Sequence, residues 1–126
     1  MRAKKRIYIG ILCLMAVLFA SPIVIKAVSG EAFFSGGSTY GVLRLTTSSI
    51  FASNASTYDD EELFDPAVYL YGVAKNSNYT PLGYVEASGY GICQKTTNSL
   101  INVYRGTCDY KVNGNKVLTL NTTIND

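Results

Sequence analysis

The chain has 126 residues, 48% hydrophobic and 16% charged, with three cysteines and neither histidine nor tryptophan. That is enough chain for one ordinary domain. The net charge of +2 is split: residues 1–29 hold five basic groups and no acid, whereas residues 30–126 carry −3. An acidic body argues against nucleic acid as a partner, and the lack of histidine removes Ser-His-Asp and Cys-His nucleophiles and the usual zinc sites.

In chain order, a basic Met1–Arg6 precedes the apolar run Ile7–Val17, and Ala20, Ser21 and Pro22 follow. Charge, apolar core and small-residue exit are the order of a secretory signal peptide, expected over residues 1–29. The small-x-small rule puts cleavage after Ser29 or after Ala32. The alternative is an uncleaved anchor, because Ile7 to Ile25 runs 19 residues without a charge, just long enough to span a bilayer. Membrane contact would then run through Met1–Lys26. Cys13 follows Leu12 rather than a small residue, so it reads as one member of this apolar helix and not as a lipidation site.

Residues 30–38, rich in glycine, read as a flexible lead-in, and residues 39–126 as a single β-domain. Helix formers are scarce, while tyrosine, valine, threonine and Asn/Gly/Ser turns abound. The expected strands are Tyr40–Thr47; Ile50–Asn54, continuing after a bulge at Ser48-Ser49; and Ala67–Ala74, a central strand apolar on both faces. Tyr58–Pro66 is a loop, and Lys75–Asn78 a turn. Thr80–Ala87 and Ser88–Lys95 follow. Val103–Val112 puts Cys108, Tyr110 and Val112 on one face and Arg105, Thr107, Asp109 and Lys111 on the other. Asn113-Gly114 is the strongest hairpin signal, since both residues tolerate positive φ, and Lys116–Thr122 closes the domain.

Beyond residue 29 the chain has two cysteines, Cys93 and Cys108, 15 positions apart. In an exported domain they read as one disulfide, which in the chain-entropy account stabilises by about 3 kcal/mol. The fold class expected is all-β: a small antiparallel β-sandwich, or partly open barrel, of about 6–7 strands with one disulfide and a preceding signal helix.

Little in the sequence suggests catalysis. The run Asp59-Asp60-Glu61-Glu62 with Asp65 lacks the spacing of a calcium loop and reads as a solvated loop. Glu86 and Asp109 are the one carboxylate pair a glycosidase-type hydrolase would use, with surface ion pairing to Lys95, Arg105 or Lys111 as the ordinary reading. Asn54, Asn78 and Asn121 each begin an Asn-x-Ser/Thr triplet, a glycan acceptor in a eukaryotic secretory pathway. Tyrosine is the residue in excess. Tyr79, Tyr84 and Tyr90 are the candidate ligand-contact aromatics, since exposed strand tyrosines form platforms for sugars or protein partners.

With one exported domain, polar strands and abundant Tyr and Gly, the chain resembles in format the small secreted β-sandwich proteins of Gram-positive bacteria, lactococcin-like bacteriocins among them. That resemblance carries no residue role across. The expectation is a secreted, non-catalytic binding domain without cofactor or metal, whose partner is a cell-surface glycan or protein. A bacteriocin-like antibacterial protein is the alternative, and a small carboxylate hydrolase the remote one.

Overall fold

The structure, a computed structural model, describes residues 25–124. The signal-peptide reading of the segment before Ile25 lies outside the described residues. Eight strands form two antiparallel four-stranded sheets. The first contains β1 (Ile25–Phe34), β2 (Gly37–Thr46), β3 (Ser49–Tyr58) and β6 (Ile92–Thr97), in the order β1-β2-β3-β6. The second contains β4 (Ala67–Lys75), β5 (Pro81–Tyr90), β7 (Arg105–Val112) and β8 (Asn115–Thr123), in the order β5-β4-β7-β8.

The two sheets pack face to face because alternate residues of each are apolar. Leu43 and Leu45 of β2 and Ile50 and Ala52 of β3 meet Val68, Leu70, Val85, Cys108, Tyr110, Val112 and Leu120 from the second sheet in one core. The fully buried Tyr110 ties the sheets together, its hydroxyl donating to the Val42 carbonyl at 2.5 Å. Burial pushes that phenol far above the usual tyrosine range. Arg44 alternates away from Leu43 and Leu45, yet it too is buried, and desolvation lowers its pKa.

A polar cluster lies within the first sheet. Thr39, Asn54 and Ser56 are buried, and the Asn54 amide donates to Thr39 Oγ1 at 2.6 Å while Ser56 Oγ donates to Asn54 Oδ1 at 2.8 Å. The two hydroxyls also meet each other at 2.6 Å. Asn54 is therefore a structural side chain rather than an exposed glycan acceptor.

Several sequence expectations need correction. Residues 30–38 are not a flexible lead-in: Glu31–Phe34 belong to β1, which pairs with β2 through ten residue pairs from Ile25↔Thr46 to Phe34↔Gly37. Glycine there serves close packing, since a Cβ on Gly37 would lie 2.1 Å from the Thr57 carbonyl oxygen. The folded domain accordingly includes Ile25–Ser38 as well as the residues from 39 on, and both expected cleavage points, after Ser29 and after Ala32, fall inside a paired strand. Thr47-Ser48 is a hairpin turn and not a bulge, held by Ser48 N–H donating to Thr46 Oγ1 at 3.2 Å. With β1 and this hairpin, the strand count is eight rather than six or seven.

The strand β4 is central to its sheet, as expected, but is covered on one face only: Tyr69 and Tyr71 point outward, Tyr71 being 42% exposed. The stretch Thr80–Lys95 breaks at Gly91 rather than near Ser88. Gly91 adopts φ +78°, which only glycine takes without strain. Its N–H donates to the Pro66 carbonyl and its carbonyl accepts from Ser56 N–H, so the chain leaves one sheet and enters the other at this residue. Asn113 and Gly114 both have positive φ, as the hairpin signal required.

The disulfide is not formed in this structure: Cys93 and Cys108 are free, buried thiols. They stand on β6 and β7, which belong to different sheets, so the segment between them is a crossover. Both lie in the same core. Burial raises each thiol to about 12, and a charge on Cys93 would oppose ionisation of Cys108.

Candidate functional site

The outward face of the β5-β4-β7-β8 sheet gathers the candidate residues. Cross-strand register aligns Tyr84, Val73, Thr107 and Asn121 in one row and Glu86, Tyr71, Asp109 and Thr119 in the next. A third row begins with Lys75, Arg105 and Thr123. The period of two puts all of them on the side away from the core.

Of the three aromatic candidates, Tyr79 is 63% exposed, Tyr84 57% and Tyr90 78%. Tyr84 stacks on Tyr71 with ring centroids 5.8 Å apart. Tyr90 shares the face, but six residues along β5 put it about 20 Å from Tyr84, so it stands apart from the other two. The neighbouring Tyr69 donates its hydroxyl to Glu86, and this bond, ahead of the carboxylate's charge, holds the phenol up at about 12. The Lys111 ammonium lies 5.8 Å from the Tyr69 ring centroid.

Tyr79 is placed by its turn. Asn76 Oδ1 accepts the N–H groups of Asn78 at 2.9 Å and Thr80 at 3.0 Å, and Tyr79 N–H donates to the Asn76 carbonyl at 3.1 Å. The chain is thereby forced through φ +63° at Tyr79, a left-handed conformation costing roughly 1–2 kcal/mol for a residue with a Cβ. Its ring then covers the Arg105 guanidinium at 3.8 Å, with Tyr104 on the same group at 5.1 Å. Such cation–π contacts fix a guanidinium without consuming its hydrogen bonds.

Beside this stack lies a cleft of about 350 Å³, lined by Val73, Lys75, Tyr79, Arg105, Thr107 and Asn121, with Gly106, Thr122 and Thr123 completing it. Two of its residues are cationic and none of those lining it is acidic. Among the described residues, two polar atoms of these lining side chains, Arg105 Nε and Thr123 Oγ1, are buried without a hydrogen-bond partner. Thr107 donates to Asn121 Oδ1 across the β7–β8 pair.

The carboxylates are arranged otherwise than expected. Glu86 and Asp109 are both cross-strand partners of Tyr71, so a tyrosine separates them and their Cα atoms are about 10 Å apart across two strand spacings. In place of the expected ion pairs, Glu86 accepts from Tyr69 and Asp109 accepts from Thr119 at 2.7 Å. The acidic run Asp59–Asp65 is an exposed loop at the opposite end of the domain from Lys75 and Arg105. Asp60 Oδ1 accepts there from Glu62 N–H at 3.0 Å.

Sequence reasoning singled out Tyr79 and Tyr84 but not Lys75, Arg105, Asn121 or Thr123. Alternation puts Arg105 and Thr107 on one face of their strand; the missing steps were which face looks outward and the register that brings β4 and β8 alongside.

No protein-family model matches the chain, and no curated protein matches it. Among solved structures, an endonuclease/exonuclease/phosphatase from Beutenbergia cavernae DSM 12333 aligns over 78% of this chain and 26% of its own length, at 15% identity and a TM-score of 0.43. The KRT10-binding region domain of the pneumococcal serine rich repeat protein PsrP aligns over 79% of this chain and 97% of its own length, at 12% identity and a TM-score of 0.41. The chain thus spans about a quarter of the first of these proteins and nearly all of the second domain.

Proposed function

We propose that the chain is an exported, non-catalytic binding domain that engages a cell-surface partner through the outward face of the β5-β4-β7-β8 sheet. The observation that carries this reading is the composition of that face. Tyr71, Tyr79 and Tyr84 are large, exposed and adjacent to a polar cleft. Rigid aromatic area beside hydrogen-bonding groups is what saccharide and protein recognition use. The test is binding of the full chain to a panel of immobilised saccharides and surface proteins, with Tyr71→Ala and Tyr84→Ala beside it. Loss of binding in both variants, with unchanged thermal unfolding, supports the reading. Unchanged binding in both removes it.

Export rests on Met1–Ser29, and the extent of β1 favours the tethered form over one released by cleavage after Ser29 or after Ala32. Cleavage after Ser29 would delete five of the ten residue pairs between β1 and β2, together with Val28, which packs against the core. A chain that keeps Ile25 and what precedes it keeps β1 whole. Intact mass from the membrane and medium fractions decides: a medium form beginning at Gly30 or Phe33 would overturn the tethered form. The same measurement before and after reduction tests whether Cys93 and Cys108 become joined between the sheets once a dithiol oxidase or a disulfide donor such as oxidised glutathione takes up their electrons and protons.

A further inference from the structure

We infer that the cleft between Lys75, Tyr79 and Arg105 binds the charged group of an anionic saccharide, a carboxylate or a phosphodiester; this rests on the binding-face reading above and names the ligand class.

Charge is the first argument. The body of the chain is acidic, −2 from Ile25 on, yet Lys75 and Arg105 stand directly opposite each other on neighbouring strands and, among the described residues, no acidic side chain lines the cleft. Two like charges held together in this way attract an anion and repel each other without one. Preorganisation is the second. Arg105 lies against two rings, 3.8 Å from the Tyr79 centroid and 5.1 Å from that of Tyr104, so its planar donor fork is oriented before any ligand arrives, which lowers the entropy lost on binding. A strained backbone at Tyr79 maintains the stack, and strain of this kind gathers at binding sites.

The remaining lining argues for a saccharide. Thr107 and Asn121 supply a hydroxyl and an amide beside the cations, groups that hydrogen-bond to sugar hydroxyls. Tyr79 is 63% exposed, so one face of its ring covers Arg105 and the other is open for stacking. A cleft of about 350 Å³ suits a short saccharide segment.

The experiment measures binding of the full chain to four probes: oligogalacturonate and sialyllactose for carboxylates, a glycerol-phosphate oligomer for phosphodiesters, and an uncharged maltooligosaccharide. The expected result is binding of at least one anionic probe about tenfold or more tighter than the neutral one. It should weaken as salt rises from roughly 0.05 to 0.5 M, and about tenfold or more in both Lys75→Gln and Arg105→Gln. Which anionic probe binds tells carboxylate from phosphodiester. Lys75→Gln guards against a folding artefact, since Lys75 holds no ring in place. Equal binding of neutral and anionic probes, lost in Tyr71→Ala, overturns this inference and leaves the binding face standing. Undiminished anion binding in both charge variants overturns it as well. No binding of any probe overturns the inference, while the binding face then stands or falls on the protein members of the wider panel.

Discussion

Two polar clusters lie in this fold, and they are finished differently. Thr39, Asn54 and Ser56 are buried and spend their hydrogen bonds on one another. Arg105 and Thr123, on the outward face of the other sheet, each keep a buried polar atom unpartnered beside a cleft with two cations. A buried polar group without a partner costs about 1–3 kcal/mol. The first cluster avoids that cost among its own three side chains, whereas Arg105 Nε and Thr123 Oγ1 bear it, as Ser53 Oγ does in the first sheet. What sets the second cluster apart is the pair of cations beside an opening, and the binding role proposed for it rests on them.

The largest expected effect breaks the first cluster. Asn54→Ala removes the amide that joins Thr39 and Ser56 and leaves a hole among buried hydroxyls, so urea unfolding should show a loss of about 3 kcal/mol. Asn121→Ala, in the cleft, should change stability by no more than about 0.5 kcal/mol, because that side chain is exposed. Comparable losses in the two variants would erase the distinction.

A second test uses pH. Cys93 and Cys108 are each raised to about 12 by burial, so the fold favours the protonated thiols over an unfolded chain that ionises near 9. The stability they contribute is complete below pH 9 and is lost as pH climbs through 9 to 12. Melting temperatures of the reduced protein should fall across that window. A Cys93–Cys108 disulfide has no thiol to titrate, so the share of the fall owed to these thiols would vanish on oxidation. The pH profile therefore reports the redox state as well as the burial.

A smaller loss is expected from Tyr110→Phe. The ring remains, but the hydroxyl bridge between the sheets goes, leaving the Val42 carbonyl without that donor. Chemical denaturation should register about 1–2 kcal/mol. An unchanged midpoint would mean that the bridge adds nothing beyond the ring's packing.

How far the sequence revealed these regions follows from what each depends on. Val103–Val112 was legible because strict alternation writes its two faces into the chain, and Asn113-Gly114 because its turn needs positive φ. Strand β1 was not, since glycines that serve close packing at Gly37 look like those of a loose segment. The disulfide argument used the number of cysteines and an oxidising compartment, and neither says that β6 and β7 belong to different sheets. The candidate site was half visible. Tyr79 and Tyr84 stood out by type, but Lys75 is brought to Arg105 and Thr123 only by the register of β4 against the β7–β8 hairpin, distant from it in sequence.

The finest test sharpens the contrast from the side of the cleft. Lys75 faces Arg105 across the strand pair, and like charges placed directly opposite each other are destabilising, within the roughly 0.2–1 kcal/mol scale of cross-strand pairs. Lys75→Gln should therefore leave the fold as stable as before, or more stable by a few tenths of a kcal/mol at low salt. Any gain should shrink as salt screens the pair. A side chain that the fold would be no worse without, at a cleft with two cations, fits the binding role proposed for it better than a structural one. Were Lys75→Gln instead to destabilise the domain by more than about 1 kcal/mol, the lysine would be a structural group like Asn54, and the difference between the two clusters would be one of exposure alone.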